Sequence, residues 1–589
     1  MMNAGREVSC DVLVIGSGAA GLSTAMTAHE RGLDVLVVEK ESRFGGTTAR
    51  SGGWLWVPGN SLALKAGATD SMSEARKYIQ HEAGDQFDPE RVDAFLSNAG
   101  AMVDFFQERT QVKFNFGLNY PDYHPDRPGG AEQGRSIHPV PYDGARLGPL
   151  LSSLAMPMRE STFMGMGLNS GPDLKHFLNA TRSLRSAAFV GMRILSHFVD
   201  VARYGQGTRL VNGTALAARL LASASDRRIP MWKAAEASSL TVADGRVTGA
   251  VVRVEGQPVI VHARRGVVLA AGGFPRDEKR RRRHFRHLKG ATIHATLAPE
   301  ANTGDGLRLG ESVHAGIVDT LPNAAAWAPV SIVKYKDGSE GRFFHLIDRA
   351  KPGVIAVARN GKRFVNESEN YHDFVAAMIA SAPAGSEVSA FMVCDHRALR
   401  RYGLGAVRPF PLPIGAFLRS GYLMRGETVQ ALARKMGVDP EALGRTVARV
   451  NEDAGKGRDS EFGKGSTSYQ RLLGDPDFKP NPCLGPLASG PFYAVRIVPG
   501  DLGTYDGLRT NRDTQVMSDA GRPVPGLYAV GNDAASIFGG SYPGAGATLG
   551  PAMTFGFICG NVLADRPRES AATTSAGAIR AVPQARSRA

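Results

Sequence analysis

The sequence predicts an α/β protein built on a Rossmann-like dinucleotide-binding domain, with a mixed α+β region set into it. Three observations carry this reading. A strand–turn–helix–strand unit opens the chain over residues 10–39, with three glycines in its first turn. A mixed helix and strand texture follows over about 297–488. Strand character and a glycine-dense turn then return over 527–546, ahead of a closing helix. The βαβ order is the mark of a parallel sheet.

Cys10 to Ile15 is short, apolar and valine-rich, as a fully buried strand is. It runs into Gly16-Ser17-Gly18-Ala19-Ala20-Gly21. A small-residue helix continues to about Glu30 and is closed by Gly32, and Leu33 to Val38 forms a second buried strand. Residues 60–150 mix helical stretches with a Pro/Gly-rich loop, Tyr120 to Gly134. About 150–207 is rich in Met, Leu and Arg, with Arg182, Arg185 and Arg193 among Phe189, Val190, Ile194, Leu195 and Phe198. It reads as a surface helix with one face in the core, or as an amphipathic helix lying on a membrane, and the first is preferred. Val242 to Val247 predicts a hairpin turning at Asp244-Gly245. Strands are expected at 266–269, 354–357, 362–365, 492–498 and 527–530, with a helix near 551–563 and a disordered tail after Asp565.

Composition narrows the function classes. The content is 43% hydrophobic, as in a globular protein, and 70 glycines suit backbone that must approach a ligand closely. Four scattered cysteines, Cys10, Cys394, Cys483 and Cys559, support no disulfide framework, zinc site or iron–sulfur cluster, and no metal is expected. Met1 to Ser9 lacks a signal pattern, and no stretch reaches the roughly 18 apolar residues of a membrane span. A cytoplasmic protein is expected, with peripheral contact at the inner membrane face as the alternative. The net charge of +14 and the run Lys279 to Arg283 invite a nucleic-acid reading. No nucleic-acid module accompanies them, so a solvated basic face is expected, with an anionic membrane second.

The first turn carries chemistry. Gly16 permits the tight turn, Gly18 lets pyrophosphate approach backbone, and Gly21 lets the helix pack on the sheet, its N-terminal dipole facing phosphate. Glu39 follows 18 residues after Gly21, where a carboxylate accepts hydrogen bonds from ribose hydroxyls. The stretch Arg43 to Gly53 sets two glycine pairs around hydroxyl residues, a loop able to run along an extended pyrophosphate and flavin. The late return of a strand, and the lack of a second G-x-G-x-x-G, favour FAD over NAD. The expected non-covalent FAD contacts in the first unit are Gly16, Gly18, Ala19, Ala20, Gly21, Glu39 and Lys40. The following loop adds Gly45, Gly46, Thr47, Thr48, Ser51, Gly52 and Gly53. Later segments add Ala271, Gly272, Gly531, Asn532, Gly546 and Leu549.

Five segments together resemble the 3-ketosteroid Δ1-dehydrogenases of the fumarate reductase/succinate dehydrogenase flavoprotein superfamily: FGGTTARSGGWLWVPG (44–59), YPDYHPDRPGG (120–130), RFVNESENYHDF (363–374), GPFYAVRI (490–497) and SYPGAGATLGPAMTFG (541–556). The resemblance spans about 8–565 and is weakest over 150–207. It implies a discontinuous FAD-binding domain (1–296 and 489–566, glutathione-reductase-like) around a catalytic domain (297–488), with a tail at 567–589. It also implies desaturation of a 3-ketosteroid between carbons 1 and 2, with the hydride passing to flavin and thence to an unidentified electron acceptor. By resemblance, Tyr371 is the base, Tyr123 its hydrogen-bonding partner, and Tyr542 with the Gly546 N–H the pair that binds the ketone oxygen. A phenol and an amide are preorganised donors for a developing enolate. The structural alternative is three half-buried tyrosines tied by their hydroxyls, and Tyr120 and His124 lie close enough to be confused with Tyr123. Trp54, Trp56, Phe44 and Phe114 fit a substrate slot or core equally. Ser541-Tyr542-Pro543 stands where fumarate-type reductases place an arginine, and 501–507 lacks their histidine. A 4-dehydrogenase, an oxocyclohexane carboxylate desaturase and a non-enzymatic flavin-binding module stay open.

Overall fold

The computed structural model describes residues 6–565 except 118–119, 170–172, 174–175, 178, 182, 291 and 410–411, together with 580–581. Arg182 and most of the tail therefore lie outside the described residues.

β1 (Arg6–Ile15) leads through the glycine turn into α1 (Ala19–Glu30) and returns as β2 (Val35–Val38), parallel to β1. The surface helix α2 (Leu184–Tyr204) follows much later, ahead of a meander of β3 (Ala235–Ala243), β4 (Arg246–Val254) and β5 (Gln257–Leu269). The β3–β4 turn is at Asp244-Gly245, both with positive φ (49° and 74°), as a two-residue hairpin of this twist requires. β5 pairs parallel with β1 from Arg6 to Ile15, so it continues the sheet that β1 and β2 begin.

A second, antiparallel sheet contains β6 (Ala325–Lys334), β7 (Glu340–Phe344) and β8 (Val354–Ala358). The helix α3 (Tyr371–Ser381) precedes its remaining strands, β9 (Ala390–Cys394), β10 (Leu423–Gly426) and β11 (Phe492–Thr504). Its order is β7-β6-β11-β9-β8, with β10 also on β11. The expected return at 489 thus falls inside this sheet, and we propose that the chain re-joins the first domain only after Thr504. It does so through β12 (Pro523–Ala529), parallel to the end of β5, and α4 (Leu549–Asp565).

α4 packs along α1, and the small residues of both helices explain how. A Cβ on Gly556 would lie 2.6 Å from Ala20 O, and one on Gly560 2.6 Å from Thr27 Cβ. α4 is thereby fixed beside the helix that follows the first nucleotide-binding turn.

Two expectations are corrected. Residues 362–365 form no strand; only a single bridge joins Arg363 to Val357. Arg363 is instead turned inward to Glu367 (2.7 Å) and Asp459 (2.8 Å), a buried ion network that an extended strand would pull apart. α2 does not put a face in the core. It buries only Ser186 and His197, while Leu184 (91%), Met192 (66%), Leu195 (67%) and Phe198 (49%) remain exposed. The apolar stripe is real, but no described element covers it. The basic run lies on the helix Glu278–His284 and is ion-paired at the surface: Arg280 with Glu311, Arg282 with Glu278 and Arg283 with Asp319. All four cysteines are buried and none is in a disulfide.

Candidate active site

The glycines of the first turn are held by backbone. Gly16 has φ +115°, and a Cβ there would meet Ala270 O at 2.1 Å; one on Gly21 would meet Gly16 O at 2.1 Å. α1 starts behind Gly18, which supplies no side-chain cap; the Ala19 N–H is taken by Thr48 Oγ1, while those of Ala20 and Gly21 have no partner among the described residues, an arrangement suited to phosphate. Glu39 is fixed by Ser17, whose N–H and hydroxyl donate to Oε2 (3.0 and 2.5 Å), and by the Glu41 N–H, which donates to Oε1 (3.0 Å). Burial raises its carboxyl above the ordinary value.

The stretch Arg43 to Gly53 is not one extended loop. Gly45, at φ +113°, starts a short helix, Gly46–Arg50. From this helix Thr48 Oγ1 accepts from Ala19 N (3.0 Å), and Thr47 Oγ1 accepts from the Asn302 amide (3.0 Å). Gly53 (φ +74°) comes so close to residue 212 that a Cβ would lie 2.5 Å from its carbonyl carbon.

One cleft collects these groups. Its walls include Gly16, Gly18, Ala19, Ala20, Glu39, Lys40, Gly46, Thr47, Thr48, Ser51, Gly52 and Gly53. From the later segments come Ala271, Gly272, Gly531, Asn532, Gly546 and Leu549. Gly21 and Gly45 stand behind the wall, the first packing α1 on the turn, the second donating its N–H to Ser17 Oγ (3.0 Å). Two cleft supports have no sequence signal. Asp533, pushed up to about 6 by burial, accepts from the N–H groups of Ala271 and Gly273 (2.5 and 2.8 Å) and so shapes that turn. Asn302 bridges Thr47 to Gly272 O.

The same cleft is lined by Tyr123, Tyr371 and Tyr542. Tyr371 is the first residue of α3, capped by Asn370. Its ring lies 5.0 Å from Tyr542 and 5.7 Å from Tyr123, and the rings of Tyr123 and Tyr542 stack at 5.6 Å. The Tyr123 hydroxyl donates to the Tyr371 oxygen at 3.4 Å. Burial, then the neighbouring phenols, lift Tyr371 well above the ordinary tyrosine value, so the resting phenol keeps its proton. Its place at a helix N-terminus opposes this, because the dipole there favours an anion.

Tyr542 and Gly546 lie on one turn. Pro543 O accepts from the Tyr123 N–H (2.9 Å) and from the Tyr78 hydroxyl (2.7 Å). Gly546, at φ +92°, is so close to Trp54 that a Cβ would sit 2.3 Å from its carbonyl. Gly546 O accepts from the Trp56 and Gly550 N–H groups, while its own N–H has no partner among the described residues. Of the four aromatic residues left open, Trp54 lines the cleft, whereas Trp56, Phe44 and Phe114 are core. Tyr120 packs against Trp54 in the cleft wall, the rings tilted by 37°.

His124 points the other way. Its Nδ1 donates to Glu82 (2.9 Å) and its Nε2 to Asp373 (2.7 Å). Burial works against the charge, yet hydrogen bonds to Asp373 and Glu82 lift the imidazole to about 10. Glu82 also pairs with Arg127 (2.8 Å) and accepts from the Ser541 hydroxyl. One buried network thus touches the neighbours of all three tyrosines. His124, Glu369 and Asp373 cluster closely enough for a metal. Both imidazole nitrogens are engaged by carboxylates, Nδ1 by Glu82 and Nε2 by Asp373, and the Asn370 amide nitrogen lies 3.0 Å from Nε2.

A family model described as an FAD binding domain matches residues 11–549. The chain is 36% identical to a 3-oxosteroid 1-dehydrogenase of Mycolicibacterium smegmatis, over 93% of this chain and 96% of that protein. It belongs to the 3-ketosteroid Δ1-dehydrogenase family of FAD-dependent oxidoreductases. A crystal structure of a family member from Sterolibacterium denitrificans, in complex with 1,4-androstadiene-3,17-dione, superposes with a TM-score of 0.86 at 35% identity, covering 94% of this chain and 99% of that one. A 4-oxocyclohex-2-ene-1-carboxylate 5-dehydrogenase of Sinomonas cyclohexanicum is 40% identical over 95% of this chain and 94% of its own length. The family cofactor is FAD, and the cleft fits it: the closest backbone approaches have no room for a Cβ, a fixed carboxylate stands beyond β2, and the N-terminus of α1 faces the open space between them.

Proposed function

We propose that this protein dehydrogenates a 3-ketosteroid, introducing a double bond between carbons 1 and 2 of the ring that carries the ketone. The observation that supports it most is the meeting of Tyr371, Tyr123 and Tyr542 in the wall of the FAD cleft, from three segments far apart in sequence. Bound FAD supplies the acceptor for the hydride from carbon 1. Tyr542 and the Gly546 N–H would donate to the ketone oxygen as negative charge builds there, a contribution of about 2.7–4 kcal/mol per donor in such sites. Tyr371, after losing its own proton, would take the proton from carbon 2, with Tyr123 donating a hydrogen bond to its oxygen. Phe344, Leu346, Leu297 and Leu502 give this part of the cleft an apolar lining suited to a steroid and to excluding water. The cofactor contacts named from the sequence are part of the same proposal.

The test is anaerobic. The purified yellow protein should bleach with 4-androstene-3,17-dione and, with an artificial electron acceptor, turn it over to the 1,4-diene. Bleaching only by small cyclic ketones would move the substrate toward that of the 40% identical relative.

We also propose peripheral contact with an anionic membrane. No helix among the described residues is long and apolar enough to cross a bilayer. The exposed stripe of α2, flanked by the exposed Arg185 and Arg203, has the chemistry to lie in an interface. The protein should co-sediment with phosphatidylglycerol vesicles and lose that binding in the double variant Leu195→Glu, Phe198→Glu. Unchanged sedimentation of the variant would end this part of the proposal.

A further inference from the structure

A second cavity adjoins the FAD cleft and extends to the inner side of α2. Arg50, Ser51, Gly52, Met158, Phe344 and Leu346 belong to the walls of both, so a ligand at the tyrosines can reach into it. Much of its lining is apolar, with Met156, Met166, Leu168, Val211 and Phe343. Its charges do not balance, since Arg50, Arg193, Arg209 and Arg408 outnumber Glu160 and Asp200.

Most of these groups are already engaged. Glu160 accepts from the Tyr335 hydroxyl (2.6 Å), and Asp200 accepts from the Thr208 N–H and hydroxyl (3.1 and 2.8 Å). Arg209 pairs with Asp173, and Arg408 donates to the carbonyls of Glu160 and Thr162 (3.1 and 3.0 Å). Arg50 and Arg193 form no hydrogen bond or ion pair with any described residue. Both are half-buried, and a guanidinium withdrawn from water without a counter-charge is held at a cost that an incoming anion removes. The two differ in their surroundings. Arg50 feels Glu300 and Glu41 most among nearby charges, whereas Arg193 feels Arg209 most. Asp173 and Asp200 act on Arg193 as well, but their oxygens are already held by Arg209 and Thr208, so Arg193 is left without a partner of its own.

We propose that this cavity receives a carboxylate at the far end of a ring-ketone substrate, with Arg193 as its counter-charge. The inference rests on the ring-ketone reading above and names the substrate class more narrowly: an apolar ring ketone with an acidic side chain. The apolar walls accept the body of such a molecule, the tyrosines its ketone, and Arg193 its anionic end.

The test compares two ketones on the flavin-loaded full chain: neutral 4-androstene-3,17-dione and 3-oxo-4-cholen-24-oic acid, which carries a carboxylate on its side chain. Arg193→Gln should raise KM for the acid about tenfold, the scale of about 1.4 kcal/mol, with kcat nearly unchanged. It should leave the neutral ketone within about twofold, and Arg193→Lys should restore most of the loss. Salt should raise KM for the acid in the parent protein and not in Arg193→Gln. An equal effect on both substrates, or none on the acid, overturns the inference. Turnover of the neutral ketone without turnover of the acid overturns it alone, leaving the desaturase reading intact. Turnover of neither ends both.

Discussion

Replacing His124 by glutamine takes a buried positive charge from between Glu82 and Asp373 while leaving both carboxylates in place. The native imidazole is lifted from 6.5 to about 10. At about 1.36 kcal/mol per pH unit this corresponds to about 4–5 kcal/mol of preference for the charged form. Breaking one side of a buried ion pair costs about 3–5 kcal/mol, which agrees in scale. The sign with pH follows from the direction of the change. A raised histidine contributes its full stability below the unfolded value near 6.5 and loses it as pH rises through about 10. Asp373 behaves oppositely: against the push of burial, its bond to His124 holds it at about 2, so its contribution fails only as pH falls toward that value. The network is thus complete near pH 5–6. Thermal melts of the flavin-loaded parent and His124→Gln should differ most there, and the gap should narrow steadily between pH 7 and 10. The variant should also lose kcat, because Glu82 holds Ser541, Asp373 sits on the first turn of α3, and Tyr123 precedes His124. A gap that stays constant from pH 6 to pH 10 would refute a charged His124 as the fastening of these three segments.

Tyr371→Phe should keep the flavin spectrum and lose about 10²–10⁴ in kcat, the usual range for a general base; full activity would remove this residue from the chemistry. Because burial keeps the Tyr371 phenol protonated, kcat/KM of the parent should climb about tenfold per pH unit between pH 7 and 9, and a flat profile there would contradict a tyrosinate base. Gly546→Ala should cost kcat about 10²–10³, since the added Cβ collides with the Trp54 carbonyl and displaces the amide proposed to bind the ketone; a near-normal rate would move the oxygen site elsewhere. Gly21→Ala places a Cβ 2.1 Å from Gly16 O, and the protein should purify colourless or unstable, judged by absorbance at 450 nm and by melting.

The nucleotide-binding unit was legible because its information is local. The run Gly16 to Gly21 and the acid at Glu39 act within one turn and its neighbouring strand, where spacing alone sets geometry. The hairpin at Asp244-Gly245 was legible for the same reason, as its backbone demands φ > 0 at adjacent positions. The strand expected at 362–365 failed where a distant partner intervened: Arg363 has the local pattern of an extended segment, but Asp459, nearly a hundred residues away, draws it into an ion network. Likewise, sequence marked the apolar stripe of α2 but could not say whether another element covers it.

By itself, the sequence determined a flavin-type turn, a chain that leaves the first sheet and returns, and the tyrosines worth watching. Tertiary structure alone decided that Tyr123, Tyr371 and Tyr542 share a wall, that His124 faces carboxylates rather than the cleft, and that Asp533 and Asn302 shape the cofactor turn. The physical reason is range. Periodicity and glycine spacing report what a residue does to its nearest neighbours in the chain, whereas burial, charge pairing and ring contact depend on which remote segments fold against it.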